Sequence, residues 1–167
     1  MNATNQKSGV LQYTNKQLTV LVFLRVLVGW HILYEGMVKL FSSNWSSAGY
    51  LMDSQWIFTD FFQSLAANNT ILGVVDFMNI WGLIFIGLGL ILGAFTRVAA
   101  IGGAILLLMY YLSHPPLVGL KYSMPTEGSY LIVNKTLIEA FVLIALSLFP
   151  TSQIIGIDRL INKMRGK

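Results

Sequence analysis

Cysteine is absent from this chain of 167 residues, and charged residues are scarce. The lack of cysteine excludes disulfides, thiolate metal ligands, thioether-linked haem and sulfur chemistry on a cysteine nucleophile. Asp, Glu, Lys and Arg make up 11% of the sequence, whereas about a quarter of the residues are charged in an average soluble domain. Hydrophobic residues make up 55%. This balance indicates that lipid rather than water surrounds most of the folded chain.

The formal net charge of +4 raises the question of an acidic partner. The basic residues are spread among the tails, one short turn and the interiors of predicted helices, and no soluble face gathers them. We therefore expect the lipid bilayer, and no nucleic acid, as a partner.

Apolar segments long enough to cross about 30 Å of hydrocarbon as helices recur along the chain. They predict a polar cytoplasmic leader at 1–16 and one domain at 17–167. The predicted fold class is all-α, an integral membrane four-helix bundle. Its spans are expected at about 17–41, 74–95, 98–112 and 130–149, followed by a basic cytoplasmic tail at 150–167.

The connection between the first two spans is rich in aromatic residues. Phe58, Phe61, Phe62 and Leu65 recur at helical spacing, which predicts a helix lying in the headgroup layer of the outer leaflet. Asp53 is a residue type that starts helices, so we expect a helix to begin there.

Small residues in the second and third spans predict close helix packing. Gly89 and Gly93 form a GxxxG pair, and Ala99 and Gly103 repeat the spacing. Such pairs let two backbones approach each other. The two spans are therefore predicted to form an antiparallel hairpin.

The distribution of Lys and Arg predicts the orientation of the chain, since cytoplasmic loops carry the excess of these residues. Only Lys121 lies in the two connections on the opposite side. Both termini are thus expected in the cytoplasm, with the protein in the inner (plasma) membrane. The residues on the cytoplasmic side are Lys7, Lys16, Arg97, Arg159, Lys163, Arg165 and Lys167.

Ionisable side chains interrupt the predicted spans, and each costs a few kcal/mol inside a membrane. At about 100° per residue, those of the first span share one face of its helix, and those of the fourth span lie in its outer half. We predict that they meet in a polar pocket in the outer half of the bundle. The alternative is that they are mutually neutralising pairs that only fix helix register. The predicted catalytic residues are Glu35 and Glu139, which would exchange protons; the predicted substrate-binding residues are Arg25, Lys39, Asn134 and Lys135; the additional candidates are His31, Asp76 and His114.

Two histidines raise the question of haem. His31 lies a third to a half of the way along its helix, whereas His114 is at a membrane edge, so the two are poorly placed to bracket one haem. We expect no haem and no metal.

Several segments in order resemble the DoxX/DoxD family. They are Arg25-x-x-x-Gly29, Glu35-Gly36-x-x-Lys39-Leu40, Gly93-Ala-Phe-Thr-Arg97, and the stretch from Glu127 to Glu139. The last stretch is most similar to the DoxD-like small subunit of thiosulfate:quinone oxidoreductase. The resemblance implies a quinone substrate, a second oxidoreductase subunit as partner and thiosulfate oxidation to tetrathionate.

The leading prediction is a membrane subunit of a thiosulfate:quinone oxidoreductase-like system that binds quinone or a small anion. Two alternatives stay open: a non-catalytic membrane scaffold or assembly partner, and a small-solute carrier. A second copy of the chain is a further candidate partner.

Overall fold

The computed structural model describes residues 13–124 and 131–164. The regular secondary structure of these residues is helical, with no strand among them. In chain order, the helices are α1 (Asn15–Phe41), α2 (Ala48–Met52), α3 (Thr59–Ala67), α4 (Asn69–Leu92), α5 (Thr96–Ser113), α6 (Lys135–Leu148), a 3-10 turn (Thr151–Gln153) and α7 (Ile157–Met164).

Three of the described helices, α1, α4 and α5, are long and apolar enough to cross a membrane. The protein is thus a multi-pass membrane protein, as its composition indicated. The helix α6 has 14 residues, or about 21 Å at 1.5 Å per residue. It occupies the middle of the predicted fourth span, whose first residue, 130, lies outside the described residues.

The helices α1 and α4 are antiparallel and approach closely through glycines. A Cβ added at Gly29 would lie 2.9 Å from the Cβ of Leu90, and one at Gly87 would lie 2.6 Å from the backbone nitrogen of Leu33. Real Cβ atoms essentially never come this close. Glycine at these positions therefore allows the backbone contact on which this helix pair depends.

The hairpin of α4 and α5 uses its small residues in two ways. Gly89 faces the Cβ of Ala99, at 3.1 Å from an added Cβ, as the spacing predicted. Gly93 has φ 66° and ends α4 in the left-handed conformation that glycine adopts without strain. An added Cβ there would meet Gly156 and the guanidinium of Arg25, so Gly93 packs against the C-terminal segment.

The sequence predicted a single helix in the connection between the first two spans, and the structure differs from this prediction. It contains two short helices, and α4 already begins at Asn69, whose preceding residue Asn68 accepts hydrogen bonds from Thr70 N and Ile71 N. The expectation that Asp53 starts a helix is wrong, because Asp53 follows the last residue of α2. Its carboxylate binds a distant loop instead.

The two ends of the helix bundle differ in the segments that lie there. The hairpin end holds the turn between α4 and α5 and the segment 150–164, which Asp158 ties together by accepting from Phe95 N and Thr96 N. The connector end holds α2, α3 and the loop 114–124. Between the ends, α1 packs on α4, α4 on α5 and α5 on α6, around a core that includes Leu90 and Leu143.

Candidate functional site

A cavity of about 880 Å³ lies between α1, α5 and α6 at the connector end. Apolar side chains such as Ile32, Leu83 and Leu107 form part of its wall. Most of the site residues predicted from the sequence line it together. These are His31, Glu35, Lys39, His114, Asn134, Lys135 and Glu139.

The imidazole of His31 and the carboxylate of Glu139 form a hydrogen-bonded pair across the cavity, with Nδ1 and Oε1 2.8 Å apart. The His31 side chain is 45% exposed and that of Glu139 is 14% exposed. The sequence suggested that the polar groups of the two helices pair with each other, and the structure gives His31 as a partner of Glu139. A carboxylate and an imidazole in contact are a common proton-exchanging unit.

Lys39 is hydrogen-bonded to neutral groups and interacts electrostatically with the carboxylate of Glu35. Its ammonium donates to Asn79 Oδ1 at 3.0 Å and to the hydroxyl of Tyr110 at 3.4 Å, and it lies 5.2 Å from the centre of the Trp45 ring. The hydrogen bonds and the ring contact orient the ammonium. Lys39 and Glu35 thus place opposite charges on the cavity wall.

Glu35 and Asn134 take different parts. Glu35 is an exposed side chain of α1 on the cavity wall. Asn134 precedes α6, and its side-chain oxygen accepts from Leu137 N at 2.9 Å. That bond caps the helix, so Asn134 also positions Lys135 and Glu139 at its start.

The loop 114–124 and α2 cover the cavity at the connector end, and His114 is central to this cover. Its ring stacks on Tyr50, with centroids 3.9 Å apart, and lies 4.5 Å from the centroid of Tyr122. Burial lowers the pKa of His114 from its usual value, and the nearby carboxylate of Asp53 opposes this only in part. His114 is thus held neutral near pH 7.

Asp53 fastens the loop to α2. Its carboxylate accepts from Ser123 N at 2.8 Å, from the Ser123 hydroxyl at 2.9 Å and from Met124 N at 3.2 Å, and it lies 3.7 Å from His114 Nε2. Burial alone raises the pKa of Asp53, but these hydrogen bonds and His114 outweigh it and lower that pKa. Burial also raises the pKa of Tyr122 to about 12, so its hydroxyl stays protonated.

Two predicted site residues lie outside the cavity lining. Arg25 is 2% exposed and binds the C-terminal segment, donating to Thr151 Oγ1 at 3.1 Å and to the Ile155 carbonyl at 2.9 Å. Asp76 accepts from Ser47 N at 2.8 Å and so ties the loop after α1 to α4. Both side chains are engaged in holding segments of the fold together.

The sequence did not single out the tyrosines of the wall, Tyr50, Tyr110 and Tyr122, or the amide of Asn79. From the sequence, the tyrosines are interpreted as residues of the membrane interface, where tyrosine is common. Asn79 offered a better signal, because a lone amide inside an apolar span also has a desolvation cost that calls for a partner. That partner is Lys39.

Within residues 13–124 and 131–164, no group of three or more His, Asp or Glu side chains is arranged to hold a metal ion.

Residues 20–115 match the DoxX family, which is more than half of the chain. No curated protein and no solved structure matches this chain.

Proposed function

Because this chain belongs to the DoxX family, we propose that it is a membrane subunit of a thiosulfate:quinone oxidoreductase-like system and that its cavity binds the quinone headgroup. The observation that carries the proposal is the hydrogen-bonded pair of His31 and Glu139 on the wall of a cavity with apolar sides. The quinone headgroup is a flat ring with two carbonyl oxygens, so its binding site needs apolar side chains against the ring and a few polar groups for the oxygens.

The proposal includes a complete four-helix bundle, with α6 as the fourth membrane helix. Support comes from α6 itself, which packs on α5, buries Ala140 and Leu143 fully and exposes Ile138 and Phe141. In this arrangement α2 and α3 lie at the outer leaflet, since Arg97 and Arg159 at the hairpin end favour the cytoplasm. Both termini are then cytoplasmic and the membrane is the inner membrane.

The proposed chemistry balances without any group on the chain changing its oxidation state. Two thiosulfate dianions become one tetrathionate dianion and release two electrons, and the quinone takes up these electrons with two protons to become quinol. The chain has no cysteine, so the sulfur–sulfur bond forms between bound thiosulfate molecules, on this subunit or on a partner subunit.

The ionisable groups that α1 and α6 place on the cavity wall each have a role in this proposal. Glu139 and His31 pass protons to the quinone oxygens, and Glu35 is a second proton-exchanging group on the same wall. Lys39 and Lys135 stabilise negative charge on the reduced quinone or on a thiosulfate ion. Arg25 has no part in it, because its guanidinium is buried at the hairpin end.

The test is replacement of Glu139 by glutamine, which keeps the side-chain size and removes the exchangeable carboxyl proton. In native-host membranes, Glu139→Gln should lower thiosulfate-dependent quinone reduction roughly 100-fold, the lower range for a lost acid–base group, at unchanged protein level. Quinone extracted from the purified protein should remain. The matched control is Asp60→Asn, which removes an exposed carboxylate of α3 outside the cavity lining.

Other outcomes assign other functions. Full quinone reduction in Glu139→Gln, or a purified wild-type protein that carries and binds no quinone, contradicts the proposal. Loss of folded protein or of partner binding in Glu139→Gln is what the scaffold alternative requires. Solute uptake into proteoliposomes without redox change is what the carrier alternative requires.

A further inference from the structure

Hydrogen bonds fasten α2 and the turn after it to the end of α5 at the connector end of the cavity. The hydroxyl of Ser54 donates to the carbonyl of Ser113 at 3.1 Å, and both residues are buried. The hydroxyl of Tyr50 donates to the carbonyl of Tyr110 at 3.0 Å. These bonds join α2 and the turn after it to the end of α5, so this part of the cavity wall is held in place.

Three of the helix pairs approach closely at glycines. An added Cβ at Gly29 in α1 would lie 2.9 Å from the Cβ of Leu90 in α4, and one at Gly103 in α5 would lie 2.9 Å from Leu143 Cδ1 in α6. The α4 and α5 helices are joined by a short turn and pack at Gly89. At these positions the three helix pairs leave no space for a ligand.

The seam between α1 and α6 is much looser than these. Toward the hairpin end it is closed by the hydrogen bond from Arg25 to Thr151, and next by the pair of His31 and Glu139. From that pair to the connector end, the two helices are separated by the cavity, and Glu35 is exposed on its wall.

His31 lies at the depth of the lipid chains. It is ten residues before the end of α1 at Phe41, or about 15 Å along the helix axis. Leu27 and Tyr34, one turn away on either side, are 50% and 56% exposed. An imidazole that is 45% exposed beside such apolar neighbours has a high cost against acyl chains alone. A polar ring bound at the seam removes that cost.

We infer that the cavity is entered sideways from the bilayer, through the seam between α1 and α6. The inference rests on the proposed function and narrows its substrate to an amphiphile. The polar ring lies inside, near His31 and Glu139, while an apolar tail leaves between the helices along Tyr34 and Ile138, on the connector side of that pair. Lipid-dissolved quinones have this shape, and water-soluble analogues without a tail lack the contacts along the two helices.

The experiment maps the tail directly. Wild-type protein in proteoliposomes is mixed with a benzoquinone that carries a diazirine on a decyl tail, illuminated and analysed by mass spectrometry. The label should fall on Tyr34 of α1 and on Ile138 of α6, and excess unlabelled long-tail quinone should suppress it. Label on Leu117, Leu120 or Tyr122 of the loop 114–124 overturns sideways entry.

A pair of substitutions on α6 supplies the control. Ile138 is exposed and precedes Glu139, so Ile138→Trp should obstruct the seam and lower labelling several-fold. Ile144→Trp places the same indole at an exposed position further along α6 and should leave labelling unchanged. Equal labelling in both variants contradicts the seam as the route.

The two proposals fail separately. If the probe binds and is displaced by quinone but labels the loop 114–124, the quinone site stands and sideways entry is wrong. If the wild-type protein binds neither the probe nor quinone, the proposed function itself is wrong, and the inference that rests on it falls too.

Discussion

The guanidinium of Arg25 donates a hydrogen bond to the hydroxyl of Thr151, 3.1 Å away. This contact joins α1 to the turn after α6, and the bond from Arg25 to the Ile155 carbonyl reinforces it. Of the two α1 cations that the sequence predicted for the cavity, Lys39 lines it and Arg25 does not. Arg25 instead holds two parts of the fold together. The position of the C-terminal segment depends on it.

Thr151→Val removes the acceptor of that bond and keeps the branched shape of the side chain. The free energy of unfolding should fall by about 1.5–3 kcal/mol, the range for a hydrogen bond to a charged group, because the buried guanidinium loses a partner. Thermal unfolding in detergent measures the change. Thr19→Val, at an exposed position of α1, is the control; an equal fall in both variants contradicts the prediction.

Gly87→Ala should destabilise the contact between α1 and α4. The new methyl group would lie 2.6 Å from the backbone nitrogen of Leu33, so the helices must separate, at a cost of about 1–3 kcal/mol for overpacking. The measurement is the melting temperature in detergent. Gly82→Ala in the same helix meets nothing within 4 Å and should leave the melting temperature nearly unchanged or raise it.

The attachment of the loop 114–124 should weaken on acidification. The folded-state pKa of His114 is lowered by burial, so its contribution to stability is complete above the usual value of 6.5 and declines as the pH falls below it. The folded-state pKa of Asp53 is also lowered, so its contribution is lost only below its usual value of 3.8. Hydrogen exchange at the Ser123 and Met124 amides, which donate to Asp53, should therefore accelerate between pH 7 and 5 relative to the intrinsic rate.

Two variants test this pH dependence. His114→Phe keeps an aromatic ring for Tyr50 and Tyr122 and has no titrating nitrogen, so the acceleration between pH 7 and 5 should disappear. Asp53→Asn should raise exchange at both amides already at pH 7. Unchanged acid sensitivity in His114→Phe would assign the effect to another group.

The sequence by itself determined that this protein lies in a lipid bilayer and which of its ionisable residues need polar partners there. Apolar length predicted α1, α4 and α5 because a helix that crosses hydrocarbon needs a continuous apolar stretch, whatever its neighbours are. The cost of charge in a membrane singled out His31, Glu35 and Glu139, because such groups must face one another or a polar cavity.

Only the tertiary structure decided which groups meet. Helical periodicity predicts the face of α1 on which Arg25 lies, but it does not predict which segment packs against that face. That segment contains Thr151, which is 126 residues away in the chain. In the same way Glu139 binds His31, 108 residues away in the chain, and Asp53 binds Ser123 rather than starting a helix. These contacts depend on how the helices and loops pack in three dimensions, and local propensities carry no information about such distant partners.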